Sequence, residues 1–126
     1  FDVWIPDKTP RTPFVGRVKE VFTEQDPGYG NYGNGVIIEV THPELGTVDM
    51  LVSHLATPTP LKEGQTIEPG QGVGTQGGTG RVVSSDGTIS SYDFFKVAEK
   101  GSKSMEPPEN LEMWINYSMQ FLQGGQ

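Results

Sequence analysis

Leu61-Lys62-Glu63-Gly64-Gln65-Thr66-Ile67-Glu68-Pro69-Gly70-Gln71-Gly72-Val73-Gly74 sets one Gly-Gln pair after another, with apolar residues between them. Each pair marks a tight turn in which the backbone takes a positive φ or comes close against another strand, both of which glycine allows. The apolar residues between the pairs fill the interior of a sheet. The passage runs on to Gly77-Gly78-Thr79-Gly80 and is too regular for a linker and too apolar for a flexible tether. It predicts successive tight turns between short strands, which is a statement about fold and not about chemistry.

Working outward, Val36-Ile37-Ile38-Glu39-Val40 is a nearly continuous apolar run and predicts a strand central to a sheet. It follows an acidic, Gly-rich loop over residues 23–35, with turn dipeptides at Pro27-Gly28 and Asn34-Gly35. His42-Pro43-Glu44-Leu45-Gly46 reads as a turn, and residues 47–54 as the returning strand of a long antiparallel hairpin. Residues 14–22 alternate toward a strand, and residues 1–13, punctuated by Pro6, Pro10 and Pro13, form an extended leading segment. On the far side, residues 81–97 predict a hairpin about Asp86-Gly87. Residues 99–106 are a polar linker. Pro107-Pro108-Glu109-Asn110 then introduces Leu111, Trp114, Ile115, Ser118 and Leu122, spaced for one face of a helix that docks on the β domain or on a partner.

The expected architecture is all-β, an antiparallel sheet or sandwich over residues 1–98, with a C-terminal amphipathic helix over 107–123. Its 17 glycines and 10 prolines agree with many short strands and tight turns, while the β-branched and aromatic residues distinguish the chain from a disordered one. A formal charge of −7 repels nucleic-acid phosphates and anionic lipid surfaces, so neither is an expected partner. No apolar run approaches the roughly 20 residues that span a bilayer, so no membrane insertion is expected. The absence of cysteine excludes disulfides and thiolate zinc sites, leaving His and carboxylates as ligands for any zinc.

Two passages together resemble the core of the lysostaphin-type zinc endopeptidases. Tyr32-Gly33-Asn34-Gly35, the apolar strand after it, and His42-Pro43 are similar to that family's "YGN, apolar strand, His, turn" passage. Residues 48–55, ending in Ser53-His54-Leu55, are similar to its "Tyr-x-His-Leu" strand, and the Gly-Gln passage to its paired "G-Q" turns. Biotinyl, lipoyl and sugar-phosphotransfer carrier domains have similar turns. A biotinyl-type carrier, however, needs a modifiable Lys at an exposed hairpin tip flanked by Met or similar residues, and no Lys here has that setting. The resemblance covers residues 1–98 and implies the duplicated hybrid motif fold.

It also implies site residues. The family binds zinc through a His, an Asp four residues later, and the second His of a late "H-x-H", with water as the fourth ligand. Asp2 stands where that Asp belongs, which puts the matching His upstream of Phe1. His54 matches the histidine that assists at the metal-bound water or the developing oxyanion. The late motif falls on Ser91-Tyr92-Asp93-Phe94, so Asp93 replaces the metal-binding His and Ser91 the catalytic one. A carboxylate is an acceptable zinc ligand, but Ser91 is no general base. Two carboxylates with at most one His favour an oxygen-liking cation and raise the pKa of a zinc-bound water, which cripples peptide hydrolysis. Tyr32 and Tyr92, with Tyr29 and Trp4, are expected to line the groove, while His42 belongs to a turn.

The function implied is a degenerate peptidoglycan endopeptidase-like domain. It would bind cell-wall peptide or glycan, or serve as a structural module of a phage tail or envelope machine, outside the cell, in the envelope or on a virion. The alternative is an active zinc metallo-endopeptidase that cuts peptidoglycan cross-links. The C-terminal helix offers a surface for a protein partner.

Overall fold

The computed structural model describes residues 2–3, 8–26, 32–77, 93–102 and 105–124. Among these residues six strands are seen, β1 (Asp2–Val3), β2 (Val15–Phe22), β3 (Asn34–His42), β4 (Gly46–Leu55), β5 (Thr66–Ile67) and β6 (Asp93–Glu99), followed by a helix α1 (Leu111–Met119) that widens into a π-helical turn, Gln120–Gly124. They form one sheet in the order β1-β6-β4-β3-β2-β5, and every neighbouring pair is antiparallel. The β class and the C-terminal helix match the expectation from sequence.

The apolar strand 36–40 lies in β3, at the middle of this order, and pairs with β4 from Asn34↔Leu55 to His42↔Gly46. Residues 43–45 make the turn, held by His42 Nδ1, which accepts the backbone N–H groups of Glu44 (3.1 Å) and Leu45 (3.3 Å). The main core gathers Val18, Val36, Ile38, Val40, Met50, Val52, Leu55, Ile67, Phe95 and Val97 from the strands with Phe14, Leu61, Val73, Trp114 and Leu122 from outside them. The opposite face carries a smaller cluster of Phe22, Ile37 and Leu51, with Tyr32 and Met105 packed against it. Strand alternation sorts neighbouring residues such as Ile37 and Ile38 to opposite sides, and because both sides are covered β3 reads as a continuous apolar run.

The Gly-Gln passage forms turns that share one construction. Gly64 and Gly70 have φ of +87° and +82°. In the first turn Gln65 donates its N–H to Lys62 O while its side-chain Oε1 accepts the N–H of Lys62 (3.1 Å). Gln71 repeats both bonds with Glu68, the second at 2.9 Å. Glycine thus supplies the positive φ and glutamine satisfies a backbone donor that the turn leaves open. Between the turns, Ile67 is fully buried and β5 pairs with the edge of β2.

The helix begins at Leu111, later than the sequence boundary at 107. Asn110 makes no side-chain cap. Its amide instead donates to Leu45 O (3.0 Å), and its Oδ1 accepts the Trp114 Nε1–H (3.1 Å), tying the helix start to the β3–β4 turn. Trp114, Ser118 and Leu122 are buried, on the face marked by the sequence spacing. Ser118 is tolerated there because its hydroxyl donates to Trp114 O at 2.8 Å.

Within residues 99–106, expected as a polar linker, the described residues 99–102 and 105–106 bond to one another and to the sheet. Glu99 N–H donates to Glu106 O, Glu106 N–H to Ser102 Oγ (2.9 Å), and Gly101 N–H to Asp49 Oδ2 (2.9 Å). The hairpin turn expected about Asp86-Gly87 lies outside the described residues.

Candidate ligand-binding site at one end of the sheet

The Tyr32-Gly33-Asn34 motif opens β3, and each of its residues has a structural task at the end of β4. His54 follows Ser53, the last residue of β4 paired with β6. There the chain leaves the regular ladder: His54 has a φ of +63°, and its N–H donates to Tyr32 O (2.9 Å). Gly33 takes a φ of +73°, and the Asn34 side chain clamps its surroundings, donating to Leu55 O (3.3 Å) and accepting Glu24 N–H (3.3 Å). A positive φ costs a non-glycine residue on the order of 1–2 kcal/mol, so the surrounding bonds hold His54 in a conformation it does not prefer. Its side chain is 4% exposed, within the fold at this end of the sheet and not on its surface.

The same end receives β1 and the start of β6. Phe94 pairs with Ser53 on one side and with Asp2 on the other, and Val3 pairs with Asp93. The backbones of Asp2, Asp93 and His54 therefore converge on three adjacent strands, with Tyr32 bonded to the last of them. The Tyr32 ring is half-buried, edge-on to Phe22 at 6.4 Å, on the face that carries the smaller cluster. Ser91, Tyr92, Tyr29 and Trp4 lie outside the described residues.

His42 lies at the opposite end of β3. Its ring packs beside Phe14 (6.1 Å), Trp114 (6.5 Å) and Tyr117 (5.1 Å), between the hairpin turn and the helix.

Zinc in a protein takes three or four protein ligands. Among the described residues no group of three or more His, Asp or Glu could hold a metal ion. Asp2 and Asp93 would need further donors from elsewhere in the chain, and no chemical step is routed through a metal below.

Sequence reasoning missed a charged pair beneath this face. Asp49, 3% exposed, stands in the apolar run Val48-Asp49-Met50-Leu51-Val52 of β4. Its Oδ2 accepts Lys19 Nζ (2.6 Å) as well as Gly101 N–H, and its Oδ1 is buried with no hydrogen-bond partner among the described residues. The signal available was a lone carboxylate inside a strand otherwise read as buried. Beside it, Arg17, Val18, Lys19, Glu39 and Gly64 line an open depression of about 310 Å³.

Comparison with protein-family models and with curated protein sequences returns no match. Among the described residues no helix is long and apolar enough to cross a membrane.

Proposed function

We propose that the chain is a degenerate lysostaphin-type endopeptidase domain that binds peptidoglycan without cutting it. The observation that carries this reading is the convergence of Asp2, Asp93, His54 and the Tyr32 carbonyl at one end of the sheet. These are the positions at which the resemblance expects ligands and helpers, and the late motif supplies Ser91 and Asp93 in place of two histidines. Without a base at position 91, no group in the motif takes a proton from an attacking water. What remains suits binding. Tyr32, half-buried, offers an amphipathic ring for a sugar face or a peptide stem beside the end of the sheet where the backbones of Asp2, Asp93 and His54 converge. Such a module would act in the cell envelope or as a part of a virion.

Retention on purified sacculi, together with assays of released fragments and elemental analysis for zinc, tests it. The wild type is expected to be retained with no soluble fragments and no stoichiometric zinc. Tyr32→Ala, with its fold checked by melting, is expected to bind about 5- to 10-fold more weakly, the loss of one aromatic contact of roughly 1 kcal/mol. Release of wall peptides by the purified protein would establish the active metallo-endopeptidase instead. Absence of retention would end the wall-binding reading.

A further inference from the structure

Arg17 on β2 and Glu39 on β3 stand directly opposite each other in the ladder. Cross-strand neighbours have their Cβ atoms about 5 Å apart, and opposite charges so placed favour pairing. Here no ion pair joins them. The Arg17 guanidinium lies beside the turn at Gly64, its Nη2 3.9 Å from the place a Cβ there would take, and among the described residues it makes no hydrogen bond or ion pair. Glu39 Oε1 leans toward Lys100 Nζ at 4.0 Å, a pair too long and too exposed to hold it firmly. Both side chains line the depression of about 310 Å³, at the lower end of the roughly 300–1,000 Å³ of small-ligand sites. Its other walls are fixed. Gly64 N–H donates to Val18 O and Val18 N–H to Gln65 O, both at 2.8 Å, which fastens the turn to β2. The register shift between Val18 and Glu20 leaves Lys19 as an extra residue, and its ammonium reaches the buried Asp49 carboxylate on β4, which neutralises it.

We propose that the depression binds a small zwitterion, an ammonium and a carboxylate on one short chain, as in an amino acid. Arg17 receives the carboxylate through its planar fork of donors, and Glu39 accepts the ammonium. The two unpaired charges select a ligand that carries both. An anion alone would meet Glu39 and the field of a chain with a formal charge of −7, and a cation alone would meet Arg17. Lys19 adds little net charge, because Asp49 answers it, but its ammonium keeps donors beyond the one spent there. Releasing Lys100 from Glu39 costs little, since the Lys100 side chain is 62% exposed. The site lies on β2 and β3 and does not rest on the wall-binding reading of the Tyr32 end.

Backbone and arginine side-chain N–H resonances of the whole chain are followed while glycine, β-alanine or 4-aminobutyrate is added at constant ionic strength. Acetate and methylammonium serve as probes of a single charge. At least one of the amino acids is expected to shift Arg17 Nε–H and Gly64 N–H saturably, at concentrations about fivefold below those of either single-charge probe. Arg17→Gln and Glu39→Gln, which alter an exposed and a half-buried side chain, are each expected to weaken it about fivefold. Glu39→Gln is expected to bind acetate and the amino acid alike. Arg17→Lys, which keeps the charge and loses the fork, is expected to fall between, and it carries the test if Arg17→Gln does not fold. Lys96→Gln, on β6 outside the depression, is expected to titrate as wild type, which separates the site from a general change of charge. Acetate bound as tightly as the best amino acid, equal titrations of wild type, Arg17→Gln and Glu39→Gln, or no saturable shift with any probe would overturn the zwitterion site.

Discussion

Gly35 sits where β3 enters the sheet beside a register irregularity, paired with Phe22. A Cβ at this position would run into the Phe22 ring and come within 2.5 Å of Val52 O, a backbone atom that has nowhere to move. Gly35→Ala is therefore expected to cost about 3 kcal/mol and to lower Tm by roughly 10 °C. Gly46→Ala, where nothing lies within 4 Å and only the φ of +94° matters, is expected to cost about 1 kcal/mol, and thermal melts of the two variants check the ranking. Lys19 and Asp49 behave differently, because their interaction exists only by virtue of burial. Lys19→Met leaves a buried carboxylate facing a single backbone donor and is expected to cost about 2 kcal/mol, less than a fully buried pair because Lys19 is 40% exposed. The double variant Lys19→Met/Asp49→Leu is expected to regain most of that in denaturant titrations, and a double variant weaker than the single would show that the pair holds more than its own charges. Glycine positions were legible in the sequence, because conformational freedom is a property of the residue. The return bonds of Gln65 and Gln71 and the role of Asp49 were not, since they depend on which backbone groups lie within reach after folding.

At the scale of elements, the helix shows the same division. The spacing of Leu111, Trp114, Ile115, Ser118 and Leu122 identified the docking face, because a period near 3.6 residues is a local property. The expected boundary at 107 rests on Pro107-Pro108, which suits a first helical turn, but α1 begins only at Leu111, after Asn110, whose side chain bonds Leu45 and Trp114. Trp114 is wholly buried and meets Phe14 edge-on at 4.9 Å. Trp114→Ala is expected to cost about 3–5 kcal/mol, and removal of residues 107–126 at least as much, seen as a lower and less cooperative melt. An unchanged melting curve for the truncated chain would mean that the sheet holds its core without the helix. The pairing of β1 with β6 joins Asp2 and Val3 to Phe94 and Asp93, far apart in the sequence, and no local pattern encodes it. Placing Asp2 beside the start of β6 in the sequence rested on resemblance alone. The bond from Gly101 to Asp49 was likewise hidden, because a polar composition says nothing about a single buried bond.

For the whole molecule, the dominant quantity is a formal charge of −7 over 126 residues. Acidic groups in excess repel one another in the compact state, and salt relieves this most where the charges are exposed. Raising NaCl from about 0.01 M to about 0.15 M shortens the screening length from about 30 to about 8 Å, so Tm is expected to rise by a few degrees over that range. The same field would act on the proposed wall ligand. Cell walls that carry anionic polymers repel the protein at low salt, whereas walls stripped of those polymers do not. If contact is made through Tyr32, retention on intact sacculi is expected to increase with salt, and retention on stripped sacculi to stay nearly constant. A contact built on Arg17, Lys19 and Lys100 would show the opposite slope, falling as salt rises, because each cation contributes less when screened. Measuring retention on both kinds of sacculi across the salt range therefore reports which part of the sheet face makes the proposed contact with the wall. A decline with salt on intact walls would move the binding surface from the Tyr32 end of the sheet to the depression lined by Arg17 and Lys19.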